Sequence, residues 1–431
     1  MRPGVRRVLA NTVWLSADRI LRILIGIVVS AWVARYLGPD AFGKLNYAAA
    51  IVALLGALAT LGLDSVVVRE LVKEPDARHP LLGTAFTLRL LSGALCIGGA
   101  VLYAWLARSE DPTTMLLVAI FSIGLLAYGF DVVDLWFQSR LASRYSVIAK
   151  NGAFLVVSAG RVALILAGAS VVAFAWAGLL ETLLASAGLV VAYRLSGERI
   201  RAWRLSLARA ADLLRPGVPL MFAGLAVAVY IRIDQIMLAE MIGDASVGIY
   251  SAAVRISEGL YFIPMVIVTS LVPVIIASKS ADQALFTSRM QHLYDVMVAA
   301  AVAVALPLSL LAPLVINLLY GPQYASAAPV LAIQAWACVF VFLGIASSSH
   351  LLAENLTVIS LYRTLIGAAV NVALNLVLIP RHGVLGAAYA SLISYGVSTF
   401  ALILFSRARS AGVMMLRALL PLRLLTDRRM P

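Results

Sequence analysis

Charge is scarce in this sequence: only 13% of its 431 residues are Asp, Glu, Lys or Arg, about half the share of a soluble domain. That scarcity excludes a water-soluble globular chain. Cysteine is rarer still, with Cys96 and Cys338 alone and both in apolar runs, which excludes a disulfide scaffold, a zinc site and thiol chemistry. Long polar stretches are missing too, so there is no room for a large soluble domain. No His-Glu-x-x-His, Gly-x-Ser-x-Gly or dinucleotide-binding fingerprint stands in a suitable context. Residues 38–45 approach a P-loop, but Leu45 occupies the position of the Mg-binding hydroxyl and no buried strand precedes the turn. Lysine is outnumbered by arginine 30 to 4. GC-rich coding produces such a ratio without a functional cause, so it settles nothing by itself, although the planar Arg fork suits buried phosphate.

What is present is apolar surface, with 62% of the residues in AVILMFWYC. Runs long enough to cross a bilayer fall near 9–34, 45–68, 81–107, 114–138, 146–168 and 171–194, and again near 216–240, 247–275, 293–318, 327–347, 356–379 and 384–406. Each matches the ~20 residues that a crossing helix needs. The basic amino terminus is no cleavable leader, because Asp18, Arg19 and Arg22 interrupt its apolar stretch. Twelve crossings put both termini on one side. That side then holds 23 basic residues in its connections and tail, against Arg35, Lys44, Arg108 and Arg381 on the other. The asymmetry places both termini in the cytoplasm and accounts for most of the net charge of +13 as topology, so no nucleic-acid partner is expected.

The longest polar stretch, residues 195–214, falls at the midpoint and divides the chain into lobes 1–204 and 205–431, the second ending in a basic tail. The first hairpin of each half aligns without gaps, Leu37–Ala49 on Ile242–Val254, so that Gly38 and Gly43 fall on Gly243 and Gly248. Six crossings separate the copies. The halves are therefore expected to be related by an axis along the membrane normal. The expected fold is an all-α polytopic membrane protein of twelve helices in two six-helix lobes.

Charges inside the spans carry the functional information, since each costs ~2.5–3.5 kcal/mol at mid-bilayer and needs a polar cavity or a partner. Asp18 with Arg22, and Arg255 with Glu258, share helix faces and can neutralise one another. Arg161 has no acid at helical spacing, and Arg232 has only Asp234, two residues away on a different face. These two lead as anion contacts, followed by Arg19, Arg22 and Arg255, with Arg89 and Arg363 weaker because they lie near span ends. Asp131 and Asp134 share a face of the fourth span, where like charges could make a proton site, and pairing with Arg140 or Arg19 is the alternative. Asp18 and Glu258 are the other acids that could couple an ion. Residues 413–425 read either as an interfacial helix or as a frayed tail.

Three motifs carry a resemblance. Arg35–Gly43 after the first span, Arg232–Leu238 with Gly243–Ala253 around the seventh and eighth, and Asn371–Pro380 with Gly383–Ala388 near the end resemble the Wzx-type oligosaccharide flippases of the MOP exporter superfamily. The resemblance covers essentially the whole chain in span number and order. It implies a two-lobe, alternating-access transporter that turns over an undecaprenyl-diphosphate-linked oligosaccharide for surface polysaccharide synthesis. It implies residence in the cytoplasmic (inner) membrane, contact with membrane lipid and the polysaccharide synthesis machinery, a monomeric state, and no cofactor or metal. A cation-coupled small-molecule or drug exporter of the same superfamily is the second reading. A membrane glycosyltransferase or polymerase is the third, and it would need catalytic acids in a large outer loop, whereas the longest here, Arg35–Lys44, holds only Asp40.

Overall fold

The computed structural model describes the backbone of residues 3–279, 282–354 and 356–420, and side chains from Arg22 onward except those of Pro273, Lys279 and Thr357. All regular structure among the described residues is helical. Eleven segments are long and apolar enough to cross a membrane, and the first, Arg22–Lys73, has 52 residues. At 1.5 Å per residue it would run about 78 Å, more than twice a ~30 Å hydrocarbon core, so it holds two crossings and the total among the described residues is twelve.

The helices are α1 (Pro3–Ala59), α2 (Asp64–Lys73), α3 (Arg78–Ala107), α4 (Pro112–Ala127), α5 (Val132–Ser139), α6 (Arg144–Leu166), α7 (Val171–Leu195) and α8 (Leu207–Ile242). They are followed by α9 (Asp244–Gly259), α10 (Phe262–Lys279), α11 (Gln283–Leu310), α12 (Ala312–Tyr320), α13 (Ala327–Ala353), α14 (Thr357–His382), α15 (Val384–Phe400) and α16 (Arg409–Ala418). The first two crossings separate within α1 at Gly38, whose φ of 78° and ψ of 169° lie where a side chain is disfavoured. Gly243, its counterpart 205 residues on, has φ 97° and ψ 168°. The aligned hairpins thus share the same backbone turn. The P-loop likeness ends here, because Gly38 joins helix to helix.

Three crossings are broken where uninterrupted helices are expected. The second is interrupted between α1 and α2, with Leu61 and Gly62 at positive φ. A Cβ on Gly62 would lie 2.4 Å from the Gly217 carbonyl oxygen, so close packing of α8 against the break requires glycine. The fourth is interrupted by a 3-10 turn at Tyr128–Asp131 between α4 and α5, and the eighth between α9 and α10. The ninth differs in register: it runs over Gln283–Leu310, and Pro313 then opens the separate short α12.

Packing divides the chain into two compact units of six crossings each. One is Tyr36–Ala239; the other joins Met1–Arg35 to Glu240–Pro431. Each unit therefore takes one crossing from the other sequence half, the first and the seventh having changed places relative to a division at 204/205. In the discontinuous unit, Tyr324 donates a hydrogen bond to the Ala34 carbonyl (2.9 Å) and Gln323 to that of Arg35 (2.7 Å), fixing the end of the first crossing. The core of the continuous unit gathers Leu63, Val67, Val133, Trp136, Phe137 and Tyr193. The core of the other gathers Phe286, Tyr294, Met297, Phe342 and Leu343, and α16 docks on it through buried Met414 and Met415. Gln291 also donates to the Met414 carbonyl. The segment from 409 to 418 is thus a docked helix, while 421–425 lies outside the described residues.

Candidate functional site

The break in the second crossing has a chemical consequence. By ending one helix and starting another, it places Asp64 in the first turn of α2, where the helix dipole favours a carboxylate. Arg89 of α3, fully buried, donates to Asp64 through Nη2 at 2.7 Å. Its Nε and Nη1 have no hydrogen-bond partner among the described residues, and its charge acts on Asp131 at the end of the 3-10 turn. Lys150 of α6 stands 3.4 Å from Asp131 and 2.7 Å from Asp134. Among the described residues the acid pair is therefore held by Lys150 and not by Arg140. Arg140 instead lies over the Trp136 ring. Three carboxylates and two cations thus meet where two crossings are broken, with more acid than base.

Arg161 is not isolated. Its Nη2 pairs with Glu181 of α7 at 2.9 Å, both side chains being about three-quarters buried. The sequence shows no acid at helical spacing from Arg161, and Glu181 comes instead from the adjacent helix, which spacing along one helix cannot reveal. Arg232 lies half-buried on α8, two residues before the buried Asp234. In the other unit, α1 crosses α9 at Gly259, where an added Cβ would be 2.6 Å from Ile27 and 3.5 Å from Ile23. This crossing brings Arg22, beside Ile23, to the level of Glu258, beside Gly259, with Arg255 one helical turn away. Arg255 is exposed and has no ion-pair or hydrogen-bond partner among the described residues. The side chains of Asp18 and Arg19 lie outside the described residues.

The two arginines ranked lowest turn out to be the most buried. Arg363 of α14 donates to Ser347 Oγ (2.5 Å), Ser348 Oγ (2.7 Å) and the Gly344 carbonyl (3.1 Å) of α13. Other buried polar side chains of the same unit are joined too: Tyr294 with His350 (2.9 Å), Tyr250 with Ser391 (2.9 Å) and Gln334 (3.2 Å), and Asn371 with Asn375 (3.2 Å). The signal for Arg89 was Leu61-Gly-Leu-Asp64, a helix breaker followed by an acid. For Arg363 it was the Ser347–Ser349 run in an otherwise apolar span. Outside the spans, Asp111 caps α4 and receives Lys44 at 2.8 Å. Burial opposes its charge, but hydrogen bonds from Lys44 and Thr114 hold the carboxyl down at about 2.

Residues 8–279, well over half of the chain, match the family model described as polysaccharide biosynthesis protein. The chain belongs to the polysaccharide biosynthesis protein family. No curated protein matches it. Its fold is that of MOP-superfamily transporters. A multidrug resistance MATE family transporter in an inward-facing conformation superposes with a TM-score of 0.70 at 17% identity, over 92% of this chain and 98% of that one. The lipid II flippase MurJ in an inward closed conformation superposes with a TM-score of 0.76 at 13% identity, over 97% and 94%. A MOP superfamily transporter from Pyrococcus furiosus, whose binding pocket is described as having reversed polarity, gives 0.60 at 18% identity over 94% of each. This member of the polysaccharide biosynthesis protein family is thus a multi-pass membrane protein with twelve crossings among the described residues and the transporter architecture.

Proposed function

We propose that the protein is a flippase, not an enzyme, that carries an undecaprenyl-diphosphate-linked oligosaccharide across the cytoplasmic membrane by alternating access, with both termini in the cytoplasm. The observation that carries this reading is the family match over residues 8–279: a polysaccharide-synthesis chain made of crossings and short connections is suited to moving a lipid-linked sugar. The physical obstacle is a hydrated glycan and a diphosphate in hydrocarbon, while the polyprenyl tail stays in lipid. Fixed cations along the path lower that barrier.

Arg232, Arg22 and Arg255, with Arg19, are the proposed diphosphate contacts. Arg255 leads, because a guanidinium in an apolar span without an acidic partner among the described residues calls for an anion. Arg161 is assigned to Glu181 as a structural cation. Asp131 and Asp134, around Lys150, are the proposed seat of ion coupling, with Asp18 and Glu258 as secondary acids. The duplicated halves are proposed to be 1–204 and 205–431, distinct from the packing units, and the chain to work as a monomer. A drug-exporter reading draws on the acid pair Asp131 and Asp134. Restoration of surface glycan in a flippase-deficient strain tests the assignment, and failure of the well-expressed protein to restore it would count against the flippase reading.

A further inference from the structure

The continuous unit has a cavity of about 240 Å³ at the ends of α2, α3 and α5. The spans that frame it end at Lys73 and Ser139 and begin at Pro75, so the cavity opens at headgroup depth. Leu71, Val72 and Pro75 make one wall, and Val72 is 59% exposed on the outer surface. Trp136 makes the floor, fixed edge-on against Tyr193 at 4.9 Å, and Tyr193 in turn receives the indole N–H of Trp203. Trp136 and Tyr193 are both buried, so this floor is held rigidly.

Two guanidinium groups reach the cavity. Arg78 meets Glu198 through Nε at 3.3 Å, which leaves its terminal nitrogens open. Arg140 has its Cζ 5.0 Å over the Trp136 ring and no acidic partner among the described residues, so the contact holds its plane without using its N–H donors. The neighbouring acids are committed elsewhere, Glu74 to Arg209 and Glu70 to Arg69 and Lys73, while Asp76 on the same turn faces solvent. Next to Arg140, Leu141 adopts φ 55° and is 97% exposed. One residue beyond the cavity lining, this outward-turned leucine offers an apolar side chain to acyl chains at the end of the span.

We infer that this cavity binds the phosphate headgroup of a membrane lipid, with Arg140 and Arg78 donating to the phosphate oxygens and Val72 and Leu141 flanking the hydrocarbon. The volume is below that of sites for drug-sized ligands, ~300–1,000 Å³, and fits a headgroup. Paired planar forks suit a phosphate or diphosphate. The inference deepens the flippase reading if the lipid is the cargo carrier, and it stands without that reading if the lipid is an anionic phospholipid.

The test is lipid retention by the purified full chain, followed by native mass spectrometry, with polyprenyl diphosphate, phosphatidylglycerol and phosphatidylcholine as probes. Wild type, Arg140→Gln and Arg140→Lys are compared after their elution profiles show equal folding. The anionic probes should bind wild type more tightly than phosphatidylcholine does. Arg140→Gln should weaken the binding by about tenfold or more, as loss of a charged hydrogen bond implies, and Lys should fall between. A drop for polyprenyl diphosphate alone identifies a cargo-entry site, and a drop that includes phosphatidylglycerol identifies a general phospholipid site; both support the inference. Equal retention of every probe by wild type and Arg140→Gln overturns it. Because this comparison needs no transport, it fails or succeeds independently of glycan export.

Discussion

Arg161 and Glu181 offer a direct contest between a cation that binds cargo and one that holds helices together. The pair joins α6 to α7 at 2.9 Å with both side chains about three-quarters buried. It therefore falls between an exposed pair, which contributes ~0–1 kcal/mol, and a fully buried one, whose disruption costs ~3–5 kcal/mol. Arg161→Ala and Glu181→Ala should each lower stability by about 1–2 kcal/mol, because each leaves a largely buried charge unpaired. A loss of that size changes cellular abundance several-fold. The double mutant should lose less than the sum of the two, and exchange of the residues, Arg161→Glu with Glu181→Arg, should recover part of the loss. Abundance is read from a fluorescent fusion, stability from heating in detergent followed by size-exclusion elution, and export from surface glycan per folded molecule. Export per folded molecule should remain near wild type throughout. Wild-type abundance with abolished export for Arg161→Ala, together with a silent Glu181→Ala, would refute the structural assignment and return Arg161 to the cargo path.

Arg255→Ala should insert and accumulate normally yet lose most glycan export, with Arg255→Lys recovering a fraction of it through charge without the bidentate fork; equal export by all three proteins would count against the contact. Asp64→Asn should cost about 3 kcal/mol or more in detergent stability, since it leaves the fully buried Arg89 guanidinium without its carboxylate, whereas Arg89→Met should cost less because the charge it strands, on Asp64, sits on a side chain that is 64% exposed. Comparable losses for the two variants would contradict this ranking. The Asp111 carboxyl is held at about 2, below its unfolded value of ~3.9, so its contribution is complete above about pH 4 and is lost as pH falls toward 2. Thermal melts of Asp111→Asn and wild type should therefore differ at pH 7 and converge as the pH drops through that window; a difference constant with pH would show that the charge is not responsible.

The number and order of the crossings were readable because an apolar run of spanning length, closed by Gly, Pro or charge, has few other uses. Gly38 and Gly243 were readable for a similar reason, as a tight helix-to-helix turn needs positive φ. The breaks in the second and fourth crossings were harder to see. Tyr128–Asp131 continues an apolar stretch without proline, and its 3-10 winding reflects packing of Phe86 against Phe130 and Gly129. Partners across helices were hidden as well: Glu181 lies 20 residues beyond Arg161, and Lys150 looks like an ordinary end-of-span charge until α6 folds against α5. The exchange of the first and seventh crossings between packing units has no trace in hydropathy, because it depends on contacts such as Tyr324 with Ala34.

The central claim is that the cargo is a lipid-linked sugar and that the path is lined by cations. Its most direct test is transport by the purified protein in liposomes, with a polyprenyl-diphosphate-linked oligosaccharide scored by the arrival of its sugar at the opposite leaflet, and a cationic dye run in parallel. Sugar should cross with wild-type protein, fall to background with Arg255→Ala and Arg232→Ala combined, and outpace any movement of the dye. Dye transport without sugar transport would contradict the account and favour the exporter reading.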